Sequence, residues 1–156
     1  MKPIPAAAVD FLHNQGFVIV SSIDKNGFPH SSCKGIVKID PAGRIYLIDV
    51  YQGSTGKNIA NNPHISISAV DEHKFIGYCF KGKARIIKDE IISQELIKAW
   101  EDKIISRLTK RLLKNLTQDK GQGHHPEAKL PHPQSLILLE LEEIVDLAPL
   151  HLKKPV

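Results

Sequence analysis

Gly53-Ser54-Thr55-Gly56-Lys57-Asn58-Ile59-Ala60-Asn61-Asn62-Pro63-His64-Ile65-Ser66-Ile67-Ser68 runs from a glycine-bounded loop through a short helical turn and a proline stop into an alternating strand. The turn ends at Asn61-Asn62-Pro63 because proline has no N–H to give a helix and its ring clashes with the preceding turn. Beyond it, Ile65, Ile67 and Ala69 alternate with Ser66 and Ser68, the pattern of a strand with one buried face. A nucleotide-binding P-loop needs a wider spacing between its glycines and a Ser or Thr after the lysine. Here only Ser54 and Thr55 separate Gly53 from Gly56, and Asn58 follows Lys57, so that motif is absent. Two readings of the loop remain. It is an anion site, in which small residues admit a close approach, Ser54 and Thr55 donate, and Lys57 adds charge at a helix start. Otherwise it is an ordinary turn and helix cap.

Upstream, short strand-like runs alternate with turn residues. Phe17-Val18-Ile19-Val20-Ser21-Ser22-Ile23 is rich in β-branched residues, and Asp24-Lys25-Asn26-Gly27 supplies an Asn-Gly hairpin turn. A second strand is expected from Pro29 to Ile39, closing at the turn Asp40-Pro41-Ala42-Gly43, and a third from Arg44 to Val50. Downstream, Phe75–Phe80 and Gly82–Lys88 read as a fifth and sixth strand.

From Asp89 the period changes. Ile92, Leu96, Trp100, Ile104, Leu108, Leu112 and Leu116 recur at helical spacing, predicting a helical insertion over about 89–117. A strict four-residue repeat overshoots each turn by about 40°. That drift predicts a bend or break near Ser106–Thr109. Lys103, Arg107, Lys110, Arg111 and Lys114 lie between the apolar positions and read as a solvated basic face. Residues 118–135 are polar and rich in Gly and Pro, the composition of a flexible loop, and Leu136-Ile137-Leu138-Leu139-Glu140-Leu141 returns to a strand. Trp100, Phe17 and Phe80 are expected in the core.

The 156 residues are 42% hydrophobic and 24% charged, which suits a single domain spanning 1–156 and excludes a disordered chain. No apolar run approaches the roughly 20 residues that cross a bilayer, and Met1-Lys2-Pro3-Ile4-Pro5-Ala6 does not open a secretory signal. Cys33 and Cys79 form neither a CxxC pair nor a disulfide framework, which points to a reducing cytoplasm. A net charge of +4 attracts anions without choosing among them. The strands, with no βαβα alternation and no GxGxxG, predict a mainly β fold: a β-barrel with a helical insertion, curled so that its edges are hidden.

Asn26-Gly27-Phe28-Pro29-His30, two following strands, and Lys57 ahead of Asn62-Pro63 and an alternating strand together resemble the pyridoxamine 5′-phosphate oxidase-like, FMN-binding split-barrel family. The resemblance covers about residues 9–88, with Leu136–Leu147 as its extension. It implies a homodimer with FMN at the subunit interface. It also implies flavin contacts from Ser31, Ser32, Cys33, Lys34 and Gly35, from Asp49, Val50 and Tyr51, and from Ser54, Thr55, Gly56 and Lys57. Lys57 and the two hydroxyls would hold the phosphate, and the second strand's backbone would face the ring.

The chain departs from the oxidase's own pattern. Ser32 and Gly56 stand where that enzyme has arginines, and the last arginine is Arg111, leaving no C-terminal clamp for a substrate phosphate. The resemblance therefore implies an FMN-dependent oxidoreductase of another substrate, with an electron donor such as NAD(P)H, rather than a true pyridoxamine-phosphate oxidase. Alternatives are a non-catalytic flavin or haem carrier or sensor, and a basic nucleic-acid-binding barrel using Lys103–Lys114. The last of these lacks the interleaved aromatics that stack bases. His124, His125 and His132 lack fixed ligand spacing, so no metal site is assigned. Cys33 is either activated by Lys34 or, as a strand cysteine, a small buried hydrophobe.

Overall fold

The computed structural model describes residues 1–49, 53–88, 93–118 and 135–152, without the side chains at 107, 108, 110–112 and 114–118. Its elements in chain order are α1 (Ala6–His13), β1 (Val18–Ile23), β2 (Pro29–Lys34), β3 (Ile36–Asp40), β4 (Arg44–Ile48), α2 (Ser54–Asn61), β5 (His64–Asp71), β6 (Ile76–Lys88), α3 (Gln94–Gln118) and β7 (Ser135–Asp146). A 3₁₀ turn over Leu150–Leu152 follows.

All neighbouring strands are antiparallel, in the order β2-β1-β5-β6-β7-β4-β3. β2 and β3 occupy opposite ends of that order, yet only Gly35 separates them in the chain. Laid flat, six inter-strand spacings would hold them about 29 Å apart. Two chain steps span at most about 7 Å. The sheet must curl until its two edges approach each other. They meet without pairing along their length: β2 pairs with β1 and β3 with β4, while the Ile48 N–H donates to the Gly35 carbonyl at 2.9 Å. The curled sheet is the expected β-barrel, open along one seam.

Inside lie Val18, Val20, Ile45, Leu47, Ile67, Phe80, Ile137, Leu139 and Leu141, with Ala8 and Leu12 of α1 packed against them. A second cluster, Val37, Ile48, Ile87, Leu136 and Leu138, lies beneath Leu96 and Trp100 of α3. β7 is therefore covered on both faces through its first half. That is why Leu136–Leu139 reads as a continuous apolar run rather than an alternating one. The Lys38 ammonium donates to Glu95 at 2.5 Å, tying β3 to the start of α3, and this hydrogen bond raises the Lys38 pKa.

Several expectations need correction. The strand expected over Pro29–Ile39 is two, because at Gly35 the chain leaves one edge of the sheet and joins the other. The two strands expected over 75–88 are one, β6, with a register shift between Lys81 and Gly82. α3 is continuous from Gln94 to Gln118, with no break at Ser106–Thr109. Its buried described side chains are Leu96 and Trp100, with Ile104 half-buried. Ile105 and Leu113, which lie off the stripe, are exposed. Phe17 is 60% exposed rather than core, sharing the outward parity of Ile19, Ser21 and Ile23. Trp100 and Phe80 are buried as expected. The loop expected at 118–135 lies almost wholly outside the described residues, as do His124, His125 and His132.

The register shift has a measurable consequence. A Cβ on Gly82 would run into the carbonyl oxygen of Glu140, backbone that cannot swing aside, and would press on Leu139. Gly82→Ala is expected to destabilise the fold by about 1–3 kcal/mol, as overpacking does. Urea denaturation checks this, and a midpoint equal to that of the wild type would refute the tight crossing.

Candidate functional site

α2 lies at the seam against β1, β2 and β6. Its inward side chains are Thr55, Asn58 and Ile59, the one-face spacing of a helix. Each is anchored differently. The Thr55 and Ser32 hydroxyls share a hydrogen bond of 2.8 Å, Asn58 Nδ2 donates to Ser22 Oγ at 3.0 Å, and Ile59 enters the main core. At the other end, Asn62 is extended and the chain turns through Pro63 into β5, as the proline stop requires. The N-cap is Gly53, in an extended conformation, and no side chain caps the first turn. The first N–H groups of an α-helix have no partner within the helix and take their acceptors from outside it. Ser54 and Lys57, the outward residues beside it, are exposed.

Beneath this turn lies Asp49, just past the end of β4 and only 1% exposed. Its backbone is held by Ser135: the Asp49 N–H donates to the Ser135 carbonyl, and Ser135 Oγ donates to the Asp49 carbonyl, both at 3.2 Å. Its carboxylate accepts from Lys34 Nζ at 2.6 Å, and the Lys34 side chain is 13% exposed. The second carboxylate oxygen lies 3.4 Å from where a Cβ on Gly56 would be. Gly56 is half-buried, and the carboxylate packs at ordinary contact distance beneath the loop.

Alternation divides the candidate residues of β2. Ser32 and Lys34 are half-buried and turn toward α2 and Asp49, whereas Ser31 and Cys33 lie on the opposite, exposed face. The Ser31 hydroxyl bonds that of Ser21 at 3.2 Å. Cys33 is consequently not a buried hydrophobe: it is exposed, and nothing among the described residues covers that face of an edge strand. The structure brings Ser32, Lys34, Asp49, Thr55 and Gly56 together and leaves Ser31, Cys33, Ser54 and Lys57 facing outward. Gly35 is half-buried at the β2–β3 junction. Val50 and Tyr51 lie outside the described residues. Ser22, Asn58 and Ser135, which fix α2 and Asp49 in place, carry no motif that singles them out in the sequence.

A groove of about 430 Å³ lies elsewhere, on the outer face, lined among others by Ser21, Ser66, His64, Lys81, Gly82 and Glu143. Within it Lys81 pairs with Glu143 at 3.1 Å, and at its edge His64 Nδ1 bonds Asn62 at 3.1 Å. Among the described residues no His, Cys, Asp and Glu side chains gather to hold a metal, and no described helix is long and apolar enough to cross a membrane.

The family model described as pyridoxamine 5′-phosphate oxidase matches residues 4–147. The chain belongs to that family. Solved structures of similar fold include HupZ of Group A Streptococcus, at TM-score 0.64 and 20% identity over 93% of this chain and 94% of that one. A candidate pyridoxamine 5′-phosphate oxidase from Lactobacillus delbrueckii matches at 0.59 and 17%, covering 92% and 93%. An F420 reductase matches at 0.57 and 13%, covering 91% and 98%. At these identities the likeness concerns the fold, which is the split barrel of the family. No curated protein matches the chain.

Proposed function

We propose that this family member binds FMN, with the phosphate at the first turn of α2 and the isoalloxazine ring along β2, and that two chains form an oxidoreductase acting on a small molecule other than pyridoxamine phosphate. The supporting observation is the uncapped start of α2. Its N-cap, Gly53, has no side chain to give to the first-turn N–H groups, which lie beside Ser54 and Lys57 on a helix docked firmly to the barrel through Thr55, Asn58 and Ile59. These residues suit a phosphate: N–H groups and a hydroxyl donate, and Lys57 adds a charge-assisted contact. Bound flavin would supply hydride or electron transfer, and the protein's part is to hold and orient it. NAD(P)H is the donor this chemistry calls for.

A second chain is supported by what one chain leaves bare. Lys57 and Ser54 form a one-sided surface, and Phe17, Ile19, Ile23 and Phe28 are exposed on or beside the outer face of β1 and β2. Exposed apolar patches of this kind mark association surfaces. Ser32 and Gly56, in place of arginines, argue against pyridoxamine phosphate as the substrate.

Native mass spectrometry of freshly purified protein is expected to report a dimer carrying FMN. Lys57→Ala should weaken FMN binding by about 1.5–3 kcal/mol, on the order of tenfold to a hundredfold. Titration by flavin fluorescence quenching measures it. An unchanged affinity would take Lys57 out of the site.

A further inference from the structure

α3 changes faces along its length. Its first turns pack on the barrel through Leu96, Ala99 and Trp100, with Ile104 half-buried at the end of that contact. A four-residue repeat advances by about 40° at each step of an α-helix, and α3 runs unbroken to Gln118. Leu108 and Leu112 therefore occupy positions ever further round from the barrel-facing side, Leu112 about 160° from Leu96. Ile105, which the same geometry sets opposite the contact, is 61% exposed. The charges are sorted too. From Lys103 to Gln118 the chain carries Lys103, Arg107, Lys110, Arg111 and Lys114, and no Asp or Glu. On the helix these five positions share an arc of about 100°, and Ile104, Ile105, Leu108, Leu112 and Leu116 share the neighbouring arc of about 120°. α3 is thus two amphipathic halves joined out of phase, and the apolar arc of the second half is centred away from the barrel contact.

We propose that the second half of α3, Lys103 to Gln118, docks the protein on a lipid surface that carries negative charge, lying in the plane of the surface. A helix with an apolar arc beside a cationic one meets both its needs there: the leucines enter the acyl boundary while the cations stay among anionic headgroups. Other occupants satisfy only one arc. Nucleic acid would engage the cations and leave the apolar positions in water. A second copy of α3 would cover the apolar arc, but that arc is centred near Lys110, so matching it to itself sets the five cations of each chain beside those of the other. Like charges held that close repel. The docking is peripheral, since no described helix is long and apolar enough to cross a membrane. It stands apart from the flavin site and does not depend on it.

The test is co-sedimentation of the full-length protein with vesicles of phosphatidylcholine alone and of phosphatidylcholine with about 30% phosphatidylglycerol. The wild type is expected to sediment with the mixed vesicles and not with the neutral ones, and to be released as salt rises. Lys110→Gln with Arg111→Gln keeps good helix formers and removes two charges. It should weaken binding by about tenfold or more. Leu112→Asp should weaken it at least as much, and Lys98→Gln, which removes a cation outside the basic arc, should leave it unchanged. Circular dichroism and the melting temperature of each variant show that the fold is kept, and the glutamine pair serves alone where Leu112→Asp does not fold. No sedimentation of the wild type with the mixed vesicles overturns the proposal. So does equal binding to neutral vesicles, or binding that survives in the folded variants. Capture of a single-stranded oligonucleotide without vesicle binding overturns it in favour of nucleic acid. A native mass that halves in Leu112→Asp, again without vesicle binding, overturns it in favour of a second copy.

Discussion

Lys34→Met is expected to lower the stability of the fold by about 3–5 kcal/mol, the cost of leaving a buried charge without its partner. Asp49 is held in place by Ser135 at 1% exposure and cannot follow the lost cation into water. The Lys34–Asp49 contact is short, at 2.6 Å, and well shielded, so surface ion pairs worth under about 1 kcal/mol are the wrong comparison. The second half of the expectation separates charge from packing. Lys34→Met combined with Asp49→Leu should recover most of the loss, because buried pairs exchanged for apolar side chains are often neutral or better. Urea unfolding with a fixed m-value reads both variants: a loss of this size should move the midpoint by more than about 1 M. A single variant within 1 kcal/mol of the wild type, or a double variant no better than the single, would show that the pair carries little weight.

That pair also marks the limit of what the chain reveals as a string of letters. The start of the site was legible, since glycines, a lysine and a proline stop are local signals and gave α2 and β5 their places. The arrangement around it was not. Lys34 finds Asp49 across 15 positions and Ser32 finds Thr55 across 23, and nothing local at either end specifies the partner.

The fold divides the same way. β5 alternates because one face is covered, and its pattern is visible at once. The strand character of β7 is visible as well, but its two covered faces depend on α3, far away in sequence. Gly35 and Gly82 look alike on paper, yet one marks a strand changing sheet edges and the other a strand running on through a bulge. Only the pairing partners distinguish them. α1 is short, begins after Pro5 without a side-chain cap and is held by Ala8 and Leu12 in the core, so tertiary packing rather than local propensity makes it a helix. The drift of the α3 stripe was read as a break, yet the helix runs on unbroken; of the stripe's described side chains, Leu96 and Trp100 are buried and Ile104 is half-buried.

Phe80→Ala is expected to cost about 3–5 kcal/mol, the range for emptying a large buried aromatic site. Phe80 is fully buried on β6, opposite Ile67 on β5 and Ile144 on β7, with the Tyr78 ring centroid 6.0 Å away. Little can collapse into the space. The ladders on either side fix the backbones, and the bulge at Gly82, two residues on, already brings β6 against the Glu140 carbonyl. For a domain of this length each kcal/mol lowers the melting temperature by about 2–4 °C, so a fall of roughly 6–20 °C is expected. Calorimetry of wild type and variant measures it. Phe80 belongs to the main core, and Ser54 and Lys57 at the start of α2 face outward, so the variant, kept below its melting point, should bind FMN as the wild type does. A variant that melts normally would show that the barrel repacks freely at β6. One that stays folded but loses FMN would tie the flavin site to the barrel interior and not to the seam.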